Sequence, residues 1–120
     1  MRICCGTDII EINRIKEAIE RTSGFKNKIF TKKEIEYCES KKEQKYQHYA
    51  ARFAAKEAAF KAITGIKEVK NVVWKDIEVS KLENGRPELK IVNYNFENID
   101  ISLSHCKEYA VANVVILYNE

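Results

Sequence analysis

The sequence predicts an α+β domain in which a long alanine-rich helix packs on an antiparallel sheet. Three observations carry this. Helix signals dominate up to Gly65, and alternating segments rich in β-branched residues follow it. Between the two lies HYAARFAAKEAAFKAITG, His48 to Gly65, with seven alanines in a strongly helix-forming run. Helices first and antiparallel strands later is the order of an α+β chain.

RICCGTDII opens the chain as a short strand, with Gly6 marking a tight turn or close backbone approach at its end. In EINRIKEAIERT, Ile12, Ile15 and Ile19 recur at helical spacing, and Arg14 and Arg21, seven apart, share the opposite face. TKKEIEYCESKK begins with Thr31 and Glu34 at capping-box spacing, which predicts a short helix. The alanine helix is expected from about Gln44 to Gly65, a natural helix-ending residue. VVWKDIEVSK then alternates as a strand, and Asn84-Gly85 in LENGRPELKIV signals a hairpin. IDISLS and EYAVANVVILY complete the strands, the last one mostly apolar.

At 120 residues, with no low-complexity stretch and a single proline, the chain reads as one domain over residues 1–120. No apolar run approaches the ~18–20 residues of a membrane span, so no membrane partner is expected. MRICCGTDII lacks a secretory h-region, and the expected location is cytoplasmic. Cys4, Cys5, Cys38 and Cys106 form no C-x-x-C pair and read as reduced core or surface thiols. Net charge is +3, unevenly placed: residues 1–33 carry +4 and the rest −1. A local basic surface of this kind implies an anionic partner.

Charges along the alanine helix need a reason. Phe53, Glu57 and Lys61 fall on one stripe, flanked by alanine ridges that let a helix approach a sheet closely. Glu57 therefore tends toward the buried boundary, where a carboxylate must be paired or bind a metal. A solvated Glu57–Lys61 pair, worth only ~0.3–0.5 kcal/mol, is the plainer reading. Asp8, between Thr7 and Ile9, is a helix N-cap or a second ligand. Two carboxylates and a lysine suit Mg²⁺, which takes its remaining ligands from phosphates and water. His105, where one strand gives way to the next, is a turn histidine or a functional group presented by the scaffold.

Together GTDIIEINRI, RFAAKEAAFKA and SLSHCKEYAVANVV resemble one family, the holo-[acyl-carrier-protein] synthases among the 4′-phosphopantetheinyl transferases. The likeness runs from about residue 1 to residue 118. It implies the 4′-phosphopantetheinyl transferase fold and Mg²⁺-dependent transfer of the phosphopantetheine arm of coenzyme A to a serine of an apo acyl carrier protein. Adenosine 3′,5′-bisphosphate is released, and the role is in fatty acid biosynthesis. By the resemblance Asp8 and Glu57 hold the metal and Lys61 faces the diphosphate. Glu57, through a water, or His105 takes the serine proton. Arg52, Lys56, Lys61 and His105 meet coenzyme A, and Arg14, Arg21 and Lys28, with Lys26, dock the acidic carrier. Similar proteins are homotrimers with active sites at subunit boundaries. Two features depart from the pattern: a glycine-rich stretch is reduced to Gly65, and Cys106 stands where threonine is frequent. The competing class is a nucleic-acid-binding α+β module using the basic N-terminal quarter, but scattered tyrosines and the absence of an aromatic RNA-binding signature disfavour it. A fold-retaining subunit that binds coenzyme A without transfer is disfavoured by the intact Asp8, Glu57 and Lys61.

Overall fold

Alternation along residues 2–11 sends successive side chains to opposite faces, and this segment becomes the edge on which the rest is assembled. The computed structural model describes residues 1–96 and 98–119. The chain runs β1 (Arg2–Glu11), α1 (Ile12–Arg21), α2 (Phe25–Ile29), α3 (Lys32–Glu39), α4 (Lys45–Ile63), β2 (Ile77–Lys81), β3 (Pro87–Ile91), β4 (Asn98–His105) and β5 (Tyr109–Tyr118). One antiparallel sheet has the order β1-β5-β4, and β2 and β3 form a separate hairpin. The expected α+β architecture is therefore present, with α2 as an additional short helix.

Several boundaries differ from the sequence reading. β1 does not stop near Gly6 but continues to Glu11, because Asp8 pairs with Ala112 and Ile10 with Ala110 in the ladder. Asp8 is thus a strand residue rather than a helix N-cap; Glu11 occupies that position without a side-chain hydrogen bond. Gly65 does not adopt the left-handed geometry of a helix-ending glycine, which belongs instead to Gly24 and Gly85. The strand expected from Val72 begins only at Ile77, since Trp74–Asp76 forms a 3-10 turn in which Val73 N donates to Asp76 Oδ2 at 3.0 Å. The hairpin signal holds: Gly85 has φ 88° between the paired Lys81 and Pro87.

Helix α4 lies across β1 and β5, and eleven of its nineteen residues are buried. Ala54, Ala55, Ala58, Ala59 and Ala62 are at most 1% exposed. Their small side chains bring helix and strand backbones together at one point. A Cβ added to Gly6 would lie 2.0 Å from the Ala58 carbonyl oxygen, so no other residue fits there without displacement. Val114 and Ile116 of β5 and Val79, Leu89 and Ile91 of the hairpin complete this core. A second core of Ile12, Ile15, Ile29, Phe30, Cys38 and Tyr49 seats α1, α2 and α3 on the other end of α4.

One ion pair is sealed between these elements. Lys56 Nζ lies 2.7 Å from Glu34 Oε1, with both side chains fully buried. Its other two bonds go to the backbone carbonyls of Ile29 (2.8 Å) and Trp74 (3.1 Å), which uses all three ammonium donors. Glu34 accepts from Thr31 N within the predicted capping box (2.9 Å) and from Val79 N (2.8 Å). Burial pulls the Lys56 pKa down, while Glu34 acts against that. The network joins α2, α3, α4 and β2.

Removing one partner leaves a buried charge unpaired, which costs about 3–5 kcal/mol. Urea unfolding of Glu34→Ala, Lys56→Ala and the double variant is expected to show losses of that size for each single change. The double variant should lose clearly less than their sum. Additive losses would mean that the pair is not a coupled unit.

Candidate active site

The close approach at Gly6 brings the even-numbered face of β1 against the charged stripe of α4. Asp8 is two residues beyond Gly6 on the same face, and Glu57 and Lys61 flank Ala58 on the helix. Lys61 Nζ donates to the Thr7 carbonyl at 2.9 Å and lies 3.4 Å from Asp8 Oδ1. Glu57 is half-buried. Its carboxyl pKa is held above the ordinary carboxylate range, first by burial and then by the charge of Asp8, with Lys61 acting in the opposite direction. Both observations say that the two carboxylates share one neighbourhood.

An open cleft of about 410 Å³ covers this neighbourhood, lined by Asp8, Glu57, Arg14, Ile15, Phe25 and Phe53 among others. Phe53 is one helical turn before Glu57, stacks on Trp74 with centroids 5.1 Å apart, and contacts Phe25 at 6.2 Å. Phe60, one turn after, meets Trp74 edge-on at 5.0 Å. The result is an apolar wall beside an acidic centre. A larger hollow of about 540 Å³ lies beside β3, but its lining of Lys75, Asp76, Glu78, Glu88 and Lys90 includes none of the candidate residues. Size alone does not mark the chemistry.

The donor set suits a hard cation. Among the described residues no group of three or more His, Cys, Asp or Glu side chains is placed to hold a metal. Asp8 and Glu57 would supply two oxygen ligands to such an ion and leave its other positions to water and phosphate oxygens, as Mg²⁺ tolerates. A divalent cation held by Asp8 and Glu57 would also relieve the repulsion that adds to burial in raising the Glu57 pKa.

The other candidates are distributed differently. Arg14 lines the same cleft, and Arg21 and Lys28 are exposed on the adjoining helices. Lys26 is partly covered and lies 3.8 Å from Glu39. Arg52 and His105 are not beside Asp8 and Glu57 in the same chain; they line a second cleft of about 220 Å³ with Tyr37, His48, Lys81 and Pro87. Lys56 is a correction. It was expected to meet coenzyme A, but its side chain is fully buried and saturated by Glu34 and two carbonyls, so it is structural.

The second cleft is cationic. Arg52 is 5% exposed, its Nε has no hydrogen-bond partner, and no ion pair engages it among the described residues. Arg52, Lys41 and Lys81 all approach the Tyr37 ring, at 4.1, 4.8 and 5.8 Å from its centroid. A largely buried guanidinium without a carboxylate, set among further cations, is arranged for an anion from outside. Sequence reasoning missed His48, Lys41 and Lys81 here. His48 alone had a usable signal, since it sits four residues before Arg52 on one helix face.

Comparison with known proteins gives the family. The family model described as the 4′-phosphopantetheinyl transferase superfamily matches residues 4–114. A holo-[acyl-carrier-protein] synthase of Ruminiclostridium cellulolyticum is 50% identical, with 97% of this chain and 92% of that protein covered. One of Chlamydia pneumoniae is 48% identical over 93% of this chain and 94% of that protein. A solved Bacillus anthracis holo-(acyl-carrier-protein) synthase in complex with CoA (3′,5′-ADP) superposes with a TM-score of 0.80 at 37% identity, covering 97% and 96% of the two chains. On its sequence and its fold, the chain belongs to the 4′-phosphopantetheinyl transferase superfamily and is a transferase of the holo-[acyl-carrier-protein] synthase kind.

Proposed function

We propose that this chain is a cytoplasmic enzyme, one transferase domain over residues 1–120, that serves fatty acid biosynthesis. It moves the 4′-phosphopantetheine arm of coenzyme A onto a serine of an acidic apo acyl carrier protein. The observation that carries the reading is the convergence of Asp8, Glu57 and Lys61 beside an apolar wall, with the cationic Arg52 cleft elsewhere on the same chain.

In this reading the serine oxygen attacks the phosphorus that bears the pantetheine arm. The new P–O bond forms as the bond to the second phosphate breaks, and adenosine 3′,5′-bisphosphate leaves. Asp8 and Glu57 hold Mg²⁺, which when bound neutralises the diphosphate charge and aligns the attack. Lys61, half-exposed at the mouth, offsets further charge on the same oxygens. Glu57 takes the serine proton through a water. The apolar wall of Phe25, Phe53 and Trp74 excludes solvent on one side. Arg14, Arg21 and Lys28 attract the acidic carrier and speed its encounter more than they tighten the complex. His105 and Arg52 hold phosphate at the nucleotide end.

Because the two clefts are separate within one chain, we further propose a homotrimer in which one protomer's acidic cleft meets a neighbour's cationic cleft. The face of the sheet away from α4 supports this. Ile3 and Ile9 of β1 are 69% and 62% exposed, and Val115 and Leu117 of β5 lie on the same side in register with Cys5 and Ile3. Sedimentation equilibrium should return three times the 14.0 kDa chain, and Val115→Asp should yield monomers that have lost transfer. A wild-type monomer with full activity would overturn the shared site.

Mass spectrometry of an apo carrier protein incubated with coenzyme A, Mg²⁺ and this enzyme tests the activity. The account expects a gain of one phosphopantetheine. Asp8→Ala and Glu57→Ala should each slow it by about 10²–10³-fold or more, as loss of several kcal/mol of metal-based stabilisation requires. No gain with several carrier proteins, from folded enzyme, would sink the transferase reading.

A further inference from the structure

The cationic cleft contains a residue that the proposed reaction has not used. His48 lies on α4 one turn before Arg52, half-buried, with its ring 5.5 Å from Tyr37 of α3 and 6.4 Å from His105 of β4. The other groups facing it complete the enclosure: Lys41 from the turn ahead of α4, Arg52 from α4 itself and Lys81 from β2. Every one of these neighbours is a base or a cation, apart from the Tyr37 phenol. The Arg52 Nε has no hydrogen-bond partner, so nothing in the protein offsets the charge of this cleft there.

We propose that His48 is a further phosphate-binding residue of this cleft: neutral before the anion enters, it becomes an imidazolium and donates to an oxygen when the 3′-phosphomonoester of the nucleotide is seated beside Arg52. The inference rests on the proposed coenzyme A reading, which places the nucleotide end of the substrate here, and adds a proton to it. The electrostatics agree with the geometry. In the free protein burial, followed by Arg52, Lys41, His105 and Lys81, pushes the His48 pKa down from 6.5 to about 4. A phosphate dianion reverses the local charge and favours the protonated ring. Since the group is neutral in the free protein and charged in the complex, binding takes up a proton, and the contribution of His48 to affinity gains as pH falls. The same residue discriminates a doubly charged phosphomonoester from a neutral sugar hydroxyl.

The test is calorimetric titration of wild type and His48→Gln with adenosine 3′,5′-bisphosphate, in buffers of different ionisation enthalpy between pH 5.5 and 7.5. At pH 6 wild type is expected to take up more protons than the variant, with a difference approaching one per site. The ratio of wild-type to variant affinity should rise about tenfold from pH 7.5 to pH 5.5, within the limit of tenfold per pH unit for one proton. Adenosine 5′-monophosphate should show no His48-dependent uptake. Imidazole NMR of wild type, with only two histidines to assign, gives the same answer without a substitution. Equal uptake by both proteins, or a His48 ring that stays neutral at saturation, would overturn the inference. If inorganic phosphate gave the same uptake at the same concentration, the nucleotide assignment would fall. Failure of a different kind, bisphosphate binding unchanged by Arg52→Ala, would remove the cationic cleft from the proposed reaction altogether.

Discussion

The contact between Gly6 and the Ala58 carbonyl is the constraint on which the rest of this structure depends. A glycine in mid-strand weakens a sheet, and alanines bury less apolar area than leucines would. What the combination provides is distance. With no side chain at Gly6 and none larger than methyl at Ala54, Ala58 and Ala62, a strand and a helix approach closely enough for their polar residues to meet. Asp8 is carried on the strand and Glu57 and Lys61 on the helix, and neither element alone would assemble the three.

A helix held so tightly on one side must be located on the others as well, and its charged residues divide that work. Lys56 points into the protein, where Glu34 and two backbone carbonyls satisfy it completely. This network fixes the rotation of α4 and thereby the direction of Glu57, the next residue. Arg52, one turn earlier, is also buried but lacks a carboxylate, which leaves its charge open to the anion proposed for the second cleft. Lys61 reaches the mouth of the acidic cleft.

Much of this was legible in the sequence. The helix-then-strand order, the capping box at Thr31 and Glu34, the hairpin at Asn84-Gly85 and the pairing of Asp8 with Glu57 follow from periodicity, turn chemistry and motif resemblance. What was not legible depends on tertiary partners. Gly6 read as a strand end, because sequence does not distinguish a turn glycine from one that admits a neighbouring backbone. Lys56 read as a substrate contact, because only the fold places Glu34, distant in sequence, against it. His48 carried little weight until Tyr37, Lys81 and His105 were seen to surround it, since these come from three separate elements.

The claim that backbone proximity at Gly6 creates the proposed cation site is tested most directly by Mn²⁺ binding in the presence of coenzyme A, read from the free-ion EPR signal. Wild type and Gly6→Ala would be compared at a temperature where circular dichroism shows the variant still folded. The added methyl overpacks the contact by about 1–3 kcal/mol and must push strand from helix. We expect Mn²⁺ affinity at least about tenfold weaker, the equivalent of ~1.4 kcal/mol lost from a two-carboxylate site. A folded Gly6→Ala protein with undiminished Mn²⁺ affinity would contradict the account, because the two carboxylates would then be held together by something other than this contact.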